Sequence, residues 1–185
     1  MSSNAINGVD LAVLEAAGEA GRSDRNATRF TLSLNGEWNG GSKMTAATGA
    51  ATMGGARDHD RAGRFTMVSD EPVPLGTDAG PNPVEYLLQA LASCYTVGIS
   101  MIAAQRGIEL ERVRLELEAD VDLAAFFGVD ESVPPGVSQI RVKADLGARN
   151  AGREELQDLL SAVEKASTLR DTLVRPTDVV TTLSA

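Results

Sequence analysis

Gly76–Cys94, GTDAGPNPVEYLLQALASC, decides the fold of this chain. It opens as a loop. Asp70 to Pro83 holds Pro72, Pro74, Gly76, Gly80, Pro81 and Pro83, and no helix or central strand survives that density of breakers. It closes as a helix. Asn82 suits the cap, Pro83 the first helical position, and Glu85 falls three residues after Asn82; this is a capping box with Asn in place of Ser or Thr. The helix is predicted from Pro83 to about Arg106, stopping at Gly107, and at ~1.5 Å per residue it is about 35 Å long. Leu87, Leu88, Leu91, Cys94, Val97, Ile99, Met101 and Ile102 cover nearly its whole circumference. A helix apolar all round is buried or spans a membrane. Glu85, Gln89, Ser93, Thr96, Ser100 and Gln105, with strands on both sides, favour a central core helix.

Before the helix, Arg29–Leu34 alternates Phe30, Leu32 and Leu34 with Thr31 and Ser33, the period of a half-buried strand. Met44–Thr48 is its hairpin partner across the Gly-rich turn Asn39-Gly40-Gly41. Gly40 to Gly55 is read as a strand and flexible loop, and Arg64–Ser69 as a third strand. After the helix, Val113–Val121 and Ile140–Leu146 each alternate without a fault, around an insertion from Asp122 to Gly136 that carries Phe126 and Phe127. Arg153–Ser167 reads as a second helix, acidic at its start and ending near Lys165, as the helix dipole favours. Val174–Leu183 is β-branched and reads as a last strand. The order β-β-β-α-β-β-α-β, with strands in groups and few helices, argues an α+β fold with antiparallel pairing. Residues 1–26 read as an appendage with a short helix capped by Asp10, and 27–185 as one domain. The N-terminus has no basic n-region or apolar h-region, so it does not read as a secretory signal.

Composition narrows the function. The 185 residues carry 26 acidic and 17 basic side chains, a net charge of −9. That sign argues against coating nucleic acid, which needs a basic face, and against docking on anionic lipid. Hydrophobic residues at 43% supply a real core. A single cysteine excludes an internal disulfide and a multi-thiolate zinc site. A single histidine, His59, lies in the charged run Arg57-Asp58-His59-Asp60-Arg61 and reads as a solvated loop residue. No metal and no cofactor is expected. What remains is an acidic, cytoplasmic domain in which Cys94 is the only strong nucleophile. Read from its surroundings alone, Cys94 is a small core hydrophobe; buried among apolar residues and about three turns into its helix, it would be a neutral, sluggish thiol. Trp38, Phe126 and Phe127 read as packing residues or as the lining of an apolar pocket, and Asp70 and Asp78 as turn residues.

Gly76–Cys94 resembles the OsmC/Ohr family, the osmotically inducible and organic hydroperoxide resistance proteins. The likeness extends to DVDLAAFFGVDESVPPGVSQIRVKADL at 120–146 and SAVEKASTLRDTLVRPTDVVTTL at 161–183. It implies an intertwined homodimer in which antiparallel sheets wrap two long helices, with cysteine sites at the subunit interface. It also implies peroxidase chemistry: a thiolate at Cys94 attacks an O–O bond, a second thiol condenses with the sulfenic acid, and an external dithiol reduces the disulfide. Three positions depart from the family pattern. The second cysteine falls at Ser167, which cannot form a disulfide. The glutamate that follows the Asn-Pro pair falls at Val84, with Glu85 one residue and ~100° further round the helix; Glu85 reads as a capping carboxylate, or as that glutamate displaced. The arginine near the Gly-Gly pair is replaced by Lys43, a point charge without the guanidinium fork, with Arg29, Arg57 and Arg64 as other cations. The resemblance therefore points to a one-cysteine organic hydroperoxide reductase that borrows an external thiol reductant, with Cys94, Glu85 and Lys43 as site candidates. Its rivals are a non-catalytic dimer that binds an apolar small molecule, and a purely structural dimer.

Overall fold

In the computed structural model, which describes residues 5–184, two short strands, β1 (Ala5–Ile6) and β2 (Val9–Asp10), lead into α1 (Leu11–Ser23) and a single 3-10 turn. Six strands follow: β3 (Phe30–Thr31), β4 (Leu34–Trp38), β5 (Met44–Thr48), β6 (Ala51–Met53), β7 (Ala56–Asp58) and β8 (Thr66–Ser69). Then come α2 (Pro83–Gln105), β9 (Leu110–Val121), β10 (Val137–Ala148), α3 (Arg153–Ala166) and α4 (Thr168–Val174). The class is α+β with antiparallel sheets, as the alternation patterns foretell. The chain falls into two compact units, residues 10–87 and residues 5–9 with 88–184.

In the unit of residues 10–87, β4, β5 and β8 form one sheet and β3, β6 and β7 another. The expected strand Arg29–Leu34 is divided between them. Phe30 pairs with Met53, but Leu34 pairs with Thr48, one residue out of step. Ser33 causes the break: its hydroxyl donates to the Ala50 carbonyl at 2.6 Å, while its own carbonyl accepts the Gly49 N–H at 2.8 Å. A side chain that takes a ladder carbonyl for itself interrupts the ladder. The β6–β7 hairpin lies in and beyond the segment expected as a flexible loop. The alternation promised a covered apolar face, yet Phe30, Leu32 and Leu34 are exposed and Trp38 is 77% exposed.

The helix signals fare better. Asn82 Oδ1 accepts the Glu85 N–H at 2.9 Å, and Glu85 Oε2 accepts the Asn82 N–H at 2.8 Å, so the capping box is formed in both directions. At the other end Gly107 takes φ +68°. Its N–H bonds Ala104 O at 3.0 Å, and the Ile108 N–H bonds Ala103 O at 2.8 Å. Both orphan carbonyls are thus satisfied in a left-handed cap that a Cβ would strain.

In the other unit, α2 lays Leu91, Tyr95, Ile99 and Ala103, spaced four residues apart, into a core with Leu159 and Val163 of α3 and Ile108. The inward residues of the β9–β10 ribbon, among them Leu115, Leu117, Ile140 and Val142, pack against that core. The ribbon's outer face pairs Lys143 with Glu116 at 2.8 Å, Arg112 with Asp145 at 2.8 Å and Arg141 with Glu118 at 3.1 Å. Such solvent-exposed pairs add little to stability. The Asn7 side chain, with φ +55° at its backbone, donates to Ile108 O and accepts the Leu110 N–H, both at 2.9 Å, and so ties the N-terminal strands to the start of β9.

Two expectations are corrected. The helix apolar all round is buried on one face only: Ala90, Ser93, Thr96, Val97 and Met101 are exposed. By length and mean hydropathy, 1.6, it equals a membrane span, but its buried stripe is that of a core helix. The last strand, Val174–Leu183, is not formed. Val174 ends α4, and the described residues beyond it pair with no strand; Val179, Val180 and Leu183 are almost fully exposed. β-branched residues favour extended backbone, but a strand exists only where an edge receives it.

Candidate functional site

Cys94 faces the joint between α3 and α4. α3 ends at Ala166 and α4 begins at Thr168, with Ser167 serving both. The Ser167 N–H closes α3 on Val163 O at 2.9 Å, and the Ser167 hydroxyl oxygen caps α4 by accepting the Arg170 N–H at 3.2 Å. That turn brings Ser167, 5% exposed, to Cys94: Oγ lies 3.3 Å from Sγ, and Thr168 Oγ1 lies 3.6 Å from it. The residue at the expected position of a second cysteine is therefore in contact with the first.

Cys94 is half-buried. Burial pushes its thiol up, while the Ser167 hydroxyl, the Leu169 N–H and the hydroxyl and N–H of Thr168 pull it down; the net direction is below its ordinary value. The reasoning that burial raises a thiol pKa holds, but four donors from one turn outweigh it. Tyr95, next on α2, is buried and its phenol is pushed up, by burial first, then by the Glu164 carboxylate and by Cys94, with Arg170 acting in the opposite sense. A sulfur that is half-accessible and surrounded by donors is equipped for nucleophilic attack.

The other candidates lie in the unit of residues 10–87. The Glu85 carboxylate turns back onto the Asn82 N–H in the cap. Lys43 closes the β4–β5 turn, its N–H on Gly40 O at 3.1 Å. Beside it Asp70, 2% exposed, collects five donors: the Ser42 hydroxyl at 2.6 Å, the Glu71 N–H at 2.9 Å, the Thr77 N–H at 2.9 Å and hydroxyl at 2.6 Å, and the Ala79 N–H at 3.2 Å. The Ser42 and Thr77 hydroxyls above all hold its carboxyl well below the usual carboxylate range. Asp70, expected as a turn residue, is the knot of the whole Pro/Gly loop. A Cβ on Gly76 would stand 2.2 Å from Glu71 O and 2.6 Å from Asp70 Oδ1, so only glycine passes there. Between the sheet and the start of α2, Leu34, Met44, Ala46, Met67, Pro83 and Tyr86 line an apolar cavity of about 320 Å³. Phe126 and Phe127 stack edge-on at 5.3 Å on the exposed insertion.

Sequence reasoning missed Thr168, Leu169 and Arg170 because it missed α4. The signal was present: Ser167 is a capping residue with Asp171 in the first turn after it, hidden by reading the preceding helix through to Ser167. Among the described residues, no group of three or more His, Cys, Asp or Glu is placed to hold a metal ion.

The family model described as OsmC-like protein matches residues 76–182. No curated protein matches the chain. Solved structures do. An OsmC-like protein from Mycoplasma pneumoniae is 17% identical, with 77% of this chain and 86% of that one covered and a TM-score of 0.61. An organic hydroperoxide resistance protein from Elizabethkingia anophelis is 14% identical, covering 80% and 90%, at 0.55. An organic hydroperoxide resistance protein OsmC from Legionella pneumophila is 16% identical, covering 78% and 89%, at 0.54. At these identities the likeness is one of fold.

Proposed function

The chain belongs to the OsmC-like protein family, and on that premise we propose that it is a thiol-dependent organic hydroperoxide reductase in which Cys94 works alone. The observation that carries this reading is the set of donors around a half-buried Cys94 Sγ, Ser167 Oγ at 3.3 Å foremost. Two structural neighbours bear the name of organic hydroperoxide resistance proteins, which supports the substrate class.

The Cys94 thiolate attacks the terminal oxygen of the hydroperoxide. An S–O bond forms, the O–O bond breaks, and the departing alkoxide takes a proton to leave as an alcohol. Cys94 is then a sulfenic acid, oxidised by two electrons. Ser167 cannot condense with it, so an external thiol does, releasing water and leaving a mixed disulfide; a second external thiol restores Cys94 and departs as the external disulfide. This chemistry needs a reducing compartment, and the cytoplasm is the proposed one. The working unit is a homodimer, whose second copy would cover the exposed faces of β3–β4, α2 and the C-terminal segment. Neither nucleic acid nor membrane has a part in it.

Cumene hydroperoxide with a sulfenic-acid trap, followed by intact mass, tests the reading. Rapid, stoichiometric addition of one label is expected, absent in Cys94→Ser. A thiol unreacted after hours near neutral pH sinks it. The cavity lined by Leu34, Met44 and Tyr86 favours a second reading, a non-catalytic dimer binding an apolar small molecule, and that unreacted thiol is the result which would promote it.

A further inference from the structure

We infer that the Ser167 hydroxyl is a positioning residue for Cys94: it donates its hydrogen to the sulfur and holds it as the attacking thiolate. The inference rests on the peroxidase reading and deepens it. A serine hydroxyl has one hydrogen and two lone pairs. Ser167 Oγ accepts the Arg170 N–H at 3.2 Å, which fixes one lone pair in the cap of α4. Its hydrogen is then directed to Cys94 Sγ at 3.3 Å, the other neighbour Oγ bonds. A neutral thiol is a weak acceptor, whereas a thiolate accepts charge-assisted bonds of about twice the ordinary strength, so the arrangement favours the ionised sulfur. Thr168 Oγ1 at 3.6 Å is a second, longer contact. With Ser167 almost wholly buried, water competes little for that hydrogen.

The cap and the thiolate can be separated. Ser167→Ala removes both bonds. Ser167→Gly keeps a residue that tolerates the capping position, has no hydrogen to give and adds no charge. Tyr95, next to Cys94 on α2, and the two charged groups that act on it, Glu164 of α3 and Arg170 of α4, stay in both variants. Because Cys94 is the sole cysteine, ultraviolet thiolate absorbance and the pH profile of iodoacetamide alkylation both report on it alone. In folded Ser167→Ala, checked by circular dichroism, the midpoint should rise by about one pH unit and the rate on the acid side of the midpoint fall about tenfold, with the alkaline limiting rate unchanged. Ser167→Gly should move the midpoint up as far; it carries the test alone if the alanine variant does not fold. A purely structural Ser167 predicts that Gly, which caps a helix nearly as well, restores the wild-type profile, and either that result or an unshifted alanine profile overturns the assignment. Cumene hydroperoxide distinguishes the two claims. Shifted midpoints in a protein that hydroperoxide never oxidises uphold Ser167 and reject the peroxidase; ready oxidation with unshifted midpoints does the reverse.

Discussion

Two buried side chains set the chemistry at the scale of single residues, and neither acts through an ion pair. Ser167 and Asp70 both work by hydrogen bonds. For Cys94 the sign is fixed by its lowered pKa: reactivity toward peroxide should be full above the folded pKa and fall as pH drops through it. The stability linked to that ionisation is likewise present in full above the ordinary thiol value and is lost as pH falls through the folded one. For Asp70, also lowered, the stabilising effect is complete above the ordinary 3.8 and declines as pH falls further. Asp70→Asn keeps the shape but brings an NH₂ group against donors. Its melting temperature should lie clearly below wild type at pH 7, and the gap should narrow progressively below about pH 4. Equal gaps at both pH values would mean that the carboxylate charge is not what the loop needs. Neither residue's role was legible in advance. The resemblance marks Ser167 only as a thiol that is missing, and Asp70 stands among prolines and glycines that announce only a loop. Their partners come from 28 residues away in the case of Asp70 and Ser42, and 73 in the case of Ser167 and Cys94; such pairs leave no local pattern.

Local chemistry was enough for α2 and for the β9–β10 ribbon. Asn82, Pro83, Glu85 and Gly107 mark both helix ends, and the strict alternation of Val113–Val121 and Ile140–Leu146 lies within the observed strands. Asn82→Ala should cost about 1 kcal/mol in chemical denaturation. Glu85→Gln, which can still serve the capping box, should leave the alkylation profile of Cys94 unchanged; a shift would give Glu85 a part in the thiol site. Ile99, fully buried between α2 and α3, should cost about 2–5 kcal/mol on truncation to alanine. Elements that depend on competition were less legible. The strand at Phe30–Leu34 has the right residues, but Ser33 breaks it by taking the Ala50 carbonyl. The seven-residue α4 is too short for periodicity to show, and Val174–Leu183 has strand composition with no edge to join.

The mismatch at the scale of the whole molecule is between pattern and burial. Phe30, Leu32, Leu34, Trp38, Val179, Val180 and Leu183 read as covered, and all are exposed in the single chain. A second copy is the proposed cover. Light scattering should give about twice the chain mass of 19.4 kDa, and amide exchange should find Asp178–Thr182 protected in that species; a monomer at working concentration would contradict the proposal. The same exposed faces have a colloidal consequence. A newly made chain that has not yet met its mate carries sticky patches of the kind that drive disordered clumping. What opposes this is mutual repulsion from a net charge of −9. Near pH 4.6, where that charge vanishes, unpaired chains should precipitate while paired ones stay in suspension longer.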